Sequence, residues 1–266
     1  MSQTMIPITP ELERVARLHE QLIANFLKAR DNTTLGTYEV HHESHAMIAL
    51  VIRDVEAVCT LAREDLVLFP PAVVIARSAF ELAVRALWML SPDDVWEQEA
   101  RWLRHARHSE IEFYARVRNF QIQVGERPSR FSDRRRVAKE FYNAVAEKLD
   151  SMFPGKYDME SRPPNFRQML KSLGQEDLYA LYMDSSQFTH GSMVATQVYH
   201  RHFGTKKVMG ELISPNDWYM CLQLCWMSLT RAGRMFLKRV EGDPGEFTPQ
   251  ELIEHARHAF ANIWPL

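Results

Sequence analysis

The chain has 266 residues, 46% of them hydrophobic and 25% charged, and its 32 basic and 34 acidic side chains give a formal net charge of −2. A chain of this length and composition can bury a sizeable core, so disorder, collagen-like structure and low complexity are excluded. Its three cysteines are too few for a disulfide framework and are typical of a reducing compartment. The near-neutral charge argues against a protein that coats nucleic acid along its whole surface.

The predicted location is cytoplasmic. The first ten residues lack the basic start and apolar stretch of a secretory signal. The segment Ala72–Leu90 is long and apolar enough to span a bilayer, but Arg77, Glu81 and Arg85 lie at its middle. Charged side chains are expensive in hydrocarbon, so this segment is predicted to be a buried helix, with no membrane partner.

Helical periodicity runs through most of the chain. Four hydroxyl–proline pairs are typical of helix starts: Thr9-Pro10, Ser91-Pro92, Ser214-Pro215 and Thr248-Pro249. In chain order, the predicted helices cover residues 10–30, 38–61, 72–90, 92–123, 132–152, 165–173, 175–190, 215–240 and 249–263. Residues 153–164 predict a loop, and 193–213 stay open between helix and strand. We therefore expect an all-α fold, a single domain over 1–266 built around the mostly buried helix 72–90.

The third predicted helix carries one polar stripe. At 100° per residue, Arg77, Ser78, Glu81 and Arg85 occupy about a quarter turn of a helix that is otherwise apolar between residues 72 and 90. Glu81 can pair with either arginine because they lie four residues away on each side. Two interpretations remain open. The stripe faces water and forms weak surface pairs, or it faces a cleft and binds an anionic or amide ligand.

A second polar line ends a later helix, in the sequence LYMDSSQFTHGS at residues 181–192. Tyr182, Ser186 and His190 follow one another at four-residue steps, and the negative end of the helix dipole favours a protonated His190. A serine–histidine pair without an orienting carboxylate is a weak sign of a nucleophile. The alternative is a histidine that caps the last carbonyls of its helix.

The strings IARSAFELAVRALWML and LYMDSSQFTHGS resemble a prokaryotic family known only as domain of unknown function 5677. The pattern R-S-x-x-E followed by S-x-x-x-H-G/S matches at Arg77, Ser78, Glu81, Ser186, His190, Gly191 and Ser192, and the resemblance spans about residues 72–192. It implies an all-helical fold and kinship with helical nucleotide-binding proteins that include toxin and defence ribonucleases. It implies no established activity.

Positive charge is concentrated in residues 101–139, where eleven Arg and Lys face four acids and give a local charge of 11 − 4 = +7. Such a segment is typical of an anion or RNA surface, although salt bridges across an oligomer would explain it too. Ribonucleases of the kind named above need an arginine and a histidine a few residues apart. The pairs Arg14–His19 and Arg101–His108 have acceptable spacing but lack a polar residue after the arginine.

No metal or cofactor is predicted. The single E-x-x-H pattern, Glu39 to His42, lacks a second copy, and Cys221 and Cys225 suit buried thiols better than zinc ligands. The leading hypothesis is a binding protein whose cleft takes a small anionic or nucleotide-like ligand or a partner. The alternatives are a metal-independent ribonuclease of a toxin or phage-defence system and a structural oligomerisation module; a homo-oligomer is expected. The predicted ligand-binding residues are Arg77, Ser78, Glu81, Arg85 and Tyr182, and the predicted catalytic residues are His190, Ser186 and His108.

Overall fold

The computed structural model describes residues 5–125, 130–193, 195–203, 206–210 and 212–263. The prediction of an all-α, multi-helix fold is confirmed. The helices are α1 (Pro10–Asp31), α2 (Glu39–Glu64), α3 (Phe69–Leu90), α4 (Val95–Gln123), α5 (Arg130–Met152), α6 (Phe166–Ser172), α7 (Tyr179–Thr189), α8 (Trp218–Arg239), α9 (Pro244–Phe247) and α10 (Gln250–Ile263). Short 3-10 turns precede α3, α7 and α8.

The capping predictions are confirmed at some helix starts and wrong at one. The Thr9 hydroxyl accepts a hydrogen bond from the Leu12 amide at 3.3 Å, and Ser214 forms a capping box with Asp217. Ser91 does not cap α4. That helix begins three residues later than predicted, because the Asp94 carboxylate accepts from the amide of Trp96 at 3.0 Å.

The unassigned stretch 193–213 holds the only strands of the described chain. Residues Ala195–Val198 form a 3-10 turn, and β1 (His200–Phe203) pairs with β2 (Lys206–Met209) as an antiparallel hairpin. His200 at the start of β1 lies opposite Met209 at the end of β2, and Phe203 at the end of β1 lies opposite Lys206 at the start of β2. The hairpin is small beside ten helices, so the fold class is unchanged.

Contacts between residues divide the chain into two compact units. The first unit comprises residues 1–37, 41–88 and 166–266, and it contains α1, nearly all of α2 and α3, and α6 to α10. The second unit comprises residues 38–40 and 89–165, with α4 and α5 packed side by side as a helical hairpin. The expectation of one domain over the whole chain stays a prediction.

The core of the first unit centres on α8. The three- and four-residue spacing of its apolar residues predicts one buried stripe, and all seven of them are buried: Trp218, Leu222, Cys225, Leu229, Ala232, Phe236 and Val240. All three cysteines are free and buried, which confirms the interpretation of Cys221 and Cys225 as core thiols. Burial raises the pKa of the Cys59 thiol to about 12 and those of the other two further, so all three stay protonated and poorly nucleophilic at neutral pH.

Helix α3 is buried over most of its circumference, as predicted. In the described chain, the segment Leu66–Leu90 is the one helix long and apolar enough to cross a bilayer, and 56% of its most apolar window is buried inside the protein. The core helix of a folded domain has the same properties, so length and composition alone are weak evidence of a membrane span.

Gly233 lets α8 approach two fully buried aromatic rings. A Cβ atom at this position would lie 2.6 Å from the Phe247 ring and 3.1 Å from that of Phe26. We expect Gly233→Ala to lower the free energy of unfolding by about 1–3 kcal/mol, because overpacking outweighs alanine's better helix propensity. Urea unfolding measures the change. Ala24→Gly on α1 is a control for propensity alone, and a stabilised Gly233→Ala protein would contradict the packing argument.

Candidate functional site

Arg77 of α3 is the most buried charged side chain of the predicted stripe, with 9% of the residue exposed. Its Nη2 atom donates to the Tyr182 hydroxyl of α7 at 2.9 Å and lies 2.8 Å from a carboxylate oxygen of Glu81. The guanidinium carbon also lies 4.7 Å from the centre of the Tyr182 ring. The structure therefore brings together three of the predicted ligand-binding residues, from segments more than a hundred residues apart.

Aromatic packing fixes the position of Tyr182. The ring centre of Phe166, at the start of α6, lies 4.3 Å away, and that of Tyr179 lies 5.6 Å away in a stacked arrangement. Phe166 in turn meets Phe80 of α3 edge to face at 5.5 Å. Because these rings are held by α3, α6 and α7, the Tyr182 hydroxyl has little freedom to leave Arg77.

An open groove of about 370 Å³ lies along this stripe. Its charged lining consists of Arg77, Glu81 and Arg85, and the remaining lining residues are Val74, Ser78, Leu82 and Thr189. Arg85 is about a third exposed, and its Nη2 lies 3.6 Å from Glu81, too far for a hydrogen bond. Two arginines thus share one carboxylate, which leaves the groove with an excess positive charge.

Ser78 links the stripe to α2 through Asp54, a residue outside the predicted site. Burial raises the pKa of the Asp54 carboxyl, and a hydrogen bond with the Ser78 side chain partly opposes that shift. Asp54 interrupts an otherwise apolar helical line of Met47, Val51, Val58 and Ala62, all of them buried. A single acidic residue on an otherwise apolar, core-facing line is the sequence signal that identifies Asp54.

The predicted pairing of Ser186 with His190 is not formed. The Ser186 hydroxyl is buried and donates to the backbone carbonyl of Tyr182 at 2.6 Å, as an ordinary helical serine does. His190 follows the last residue of α7, is exposed, and its ring makes no polar contact with the described residues. The neighbouring Thr189 lines the groove instead, so His190 lies beside it without lining it.

A basic pocket of about 240 Å³ lies between α4, α5 and the following loop in the second unit. Its cationic lining residues are Arg104, Arg107, Arg135, Lys139 and Arg162, with His108 among them, and its acids are Glu112 and Glu160. Arg107 lies 2.7 Å from Glu160, and His108 Nδ1 lies 3.3 Å from Glu112. The predicted basic segment therefore forms a pocket here, while its residues 126–129 lie outside the described chain.

The other arginine–histidine pair, Arg14 and His19, is not a site for RNA. His19 is fully buried, with its ring nitrogens 2.8 Å from the Val15 carbonyl and 3.0 Å from that of Leu222. Its ring lies edge to face against Trp226 at 5.4 Å. A neutral imidazole has one N–H, which donates to one of these carbonyls, while the other ring nitrogen faces the second. Both nitrogens are enclosed between α1 and α8, so His19 is closed to substrate.

We expect this burial to make stability pH-dependent. Desolvation lowers the pKa of His19 below its ordinary value of 6.5, although both carbonyl contacts oppose that shift. Below pH 6.5 the unfolded chain therefore binds a proton that the folded chain resists. The free energy of unfolding therefore decreases as the pH is lowered, by up to about 1.4 kcal/mol per pH unit. Urea unfolding between about pH 7.5 and 5.5 measures the slope.

His19→Leu removes the titrating group and is expected to flatten this slope, whereas the exposed-site variant His258→Asn keeps it. An equal slope in His19→Leu and the wild type would assign the pH dependence to other groups.

The described residues include no group of three or more His, Cys, Asp or Glu side chains placed to hold a metal ion. Fold and site together define an all-helical protein with an arginine–glutamate–tyrosine network beneath an open groove. A family model described as a family of unknown function, DUF5677, matches residues 44–207, more than half of the chain. The chain belongs to this family, and the match extends the expected core of 72–192 in both directions.

No curated protein and no solved structure matches the chain. The matched region contains both the groove on α3 and the basic pocket of the second unit.

Proposed function

We propose that this protein binds a small ligand bearing a carboxylate or phosphate group in the groove along α3. The observation that carries the proposal is the excess of arginine in that groove, where Arg77 and Arg85 share the single carboxylate of Glu81. The groove volume of about 370 Å³ suits a small molecule. Arg77, Ser78 and Glu81, which carry the resemblance to the family, line the same groove.

The two arginines have different roles in this proposal. Arg77 is buried and doubly held by Glu81 and Tyr182, so it supplies fixed positive charge at the groove floor. Arg85 is only loosely held and can turn its planar fork toward an anion without breaking a good hydrogen bond. Thr189 also lines the groove and can offer a hydroxyl donor there, whereas the Ser78 hydroxyl is bonded to Asp54.

Calorimetric titration with inorganic phosphate and with AMP tests the proposal. We expect Arg85→Gln to weaken binding about tenfold or more, because a charge-assisted bidentate contact contributes at least 1.4 kcal/mol. Arg53→Gln, which removes an exposed arginine of α2 paired with Glu56, is the matched control and should bind as the wild type does. Equal affinities of the two variants, or no binding of either anion at millimolar concentration, would refute the proposal.

A second candidate function is a metal-independent ribonuclease of a toxin or phage-defence system, supported by the basic pocket of the second unit. There Glu112 lies within reach of His108 Nδ1 and can orient the ring, while Arg104 and Arg107 lie close by. His108 would take the proton of a ribose 2′-hydroxyl as its oxygen attacks phosphorus. The bond from phosphorus to the 5′-oxygen would break as that oxygen takes a proton from solvent water, giving a 2′,3′-cyclic phosphate, and the arginines would stabilise the phosphorane charge.

RNA cleavage in the presence of EDTA tests this function. We expect activity to disappear in His108→Asn and to persist in His258→Asn, an exposed histidine bonded to its own helix. His190→Asn tests the alternative that His190, which is exposed beside the α3 groove, is the acid or base. If His190→Asn loses activity and His108→Asn keeps it, the basic pocket is not the catalytic site. The ribonuclease hypothesis fails if the wild type shows no cleavage at high concentration, or if all three variants retain it.

A further inference from the structure

The helical hairpin of α4 and α5 presents large apolar side chains to solvent. Six of them are between 44% and 63% exposed: Phe113, Phe120 and Val124 on α4, and Val137, Phe141 and Met152 on α5. On α4 they follow steps of seven and four residues, and on α5 steps of four and eleven. Each set therefore lies along one line of its helix. We call this surface the apolar side of the hairpin.

The two lines lie on the same side of the hairpin. A groove of about 330 Å³ is lined by Phe141, Val145 and Met152 of α5 and by Glu99 of α4, which is two heptads before Phe113. The basic pocket uses different faces of both helices, since Arg104 of α4 lies about half a turn round from Phe113. The hairpin is thus amphipathic as a unit, apolar on one side and basic on the other.

The apolar side is large enough for a stable interface. Helix α5 has 23 residues and α4 has 29. Two helices side by side, about 35 Å long and about 10 Å wide each, present a face of roughly 700 Å². A stable protein interface buries about 800 Å² on each partner, so pairing over the whole face would bury nearly the area that a stable dimer needs.

We propose that the apolar side of the hairpin pairs with the same side of a second copy of this chain, forming a two-fold symmetric four-helix bundle. A helical hairpin with one apolar line along each of its two helices is one half of such a bundle. The pairing buries the exposed phenylalanines against one another. The basic pockets stay on the outside of the dimer, where they remain accessible.

Charge favours a dimer in which the two hairpins point in opposite directions. The tip of the hairpin carries the exposed Arg116 and Arg134, whereas the groove at its base has one residue of each charge, Glu99 and Lys148. Aligned tips would place four arginines together. Opposed tips instead keep the arginines of the two copies apart, which is the arrangement that we propose.

Light scattering after gel filtration, at about 100 μM protein so that weak pairing is populated, tests the dimer. We expect the wild type to have twice the mass of one chain, and Phe120→Glu/Phe141→Glu to have the mass of one chain with unchanged helical circular dichroism. The matched control Leu50→Glu changes an equally exposed apolar residue of α2 and should stay dimeric. A monomeric wild type, or a dimeric double variant, would overturn the proposal, whether or not the apolar side then bound lipid vesicles or another protein.

The relative direction of the hairpins has its own test, which does not depend on the double variant folding. A spin label on Val124→Cys marks the tip selectively, because the native cysteines are buried. Opposed tips place the two labels about 35 Å or more apart, the length of the hairpin. A distance below about 20 Å would show aligned tips and overturn the proposed arrangement.

Discussion

Glu81→Gln is expected to lower the free energy of unfolding by about 3 kcal/mol, the lower end of the range for a broken buried ion pair. The substitution leaves the Arg77 guanidinium, whose side chain is only 11% exposed, without its carboxylate partner. Neither Tyr182 nor Arg85 can replace that carboxylate, because a phenol is neutral and a second arginine is a like charge. Urea unfolding at neutral pH measures the loss.

Two further variants show whether burial causes this effect. Glu56→Gln removes the carboxylate of an exposed pair with Arg53 and should cost less than about 0.5 kcal/mol. Arg77→Met/Glu81→Leu removes both charges and should recover most of the stability lost in Glu81→Gln, because apolar side chains can replace a buried pair. Equal losses in Glu81→Gln and Glu56→Gln would mean that the α3 network contributes no more than a surface pair.

The double variant also separates stability from the proposed binding. It keeps the net positive charge of the groove, because Arg85 remains, but removes the guanidinium at the groove floor. If the anion contacts Arg77, the double variant should therefore bind phosphate and AMP more weakly than the wild type does. Unchanged binding would show that Arg77 serves structure alone.

Helical spacing predicted that Arg77, Ser78, Glu81 and Arg85 share one stripe, and left open whether that stripe faces water. In the structure, the two ends of this stripe differ in exposure. Arg77 is buried because Tyr182, 105 residues later, lies across it, whereas Arg85 stays about a third exposed. Spacing along one helix carries no information about which distant helix will cover it, so the burial of Arg77 was beyond the sequence.

Because local sequence does not show which distant residues cover a helix face, two other features of the structure also differ from the prediction. Phe113 and Phe120 are seven residues apart, which predicts that they share an apolar face of α4, but the structure leaves both more than half exposed. Spacing shows that a face is apolar and not what covers it. At the start of α4, Ser91 and Asp94 are both good caps three residues apart, and local sequence cannot choose between them. The α8 stripe was predicted correctly because it lies between helices of one core.

Trp218→Ala is expected to lower the free energy of unfolding by about 3–5 kcal/mol, the usual loss for a large aromatic side chain in a core. Trp218 is fully buried at the start of α8, and its indole N–H donates to the Leu66 carbonyl at 2.9 Å. Trp218→Phe keeps most of the volume and leaves that carbonyl without its donor, so a smaller loss of about 1–3 kcal/mol is expected. Urea unfolding of the two variants gives the comparison.

Loss of the Trp218 side chain should also affect the candidate site, because Trp218 begins a chain of three aromatic rings in contact. It meets Phe69 in the first turn of α3 at 6.0 Å, and Phe69 meets Phe188 of α7 edge to face at 5.5 Å. These contacts join the two helices that bring Arg77 to Tyr182. We therefore expect backbone amides of α7 to exchange hydrogen faster in Trp218→Ala than in Trp218→Phe, under conditions in which both variants are folded. Equal protection of α7 in both would mean that α6 and the Phe166 ring hold Tyr182 against Arg77 without help from α8.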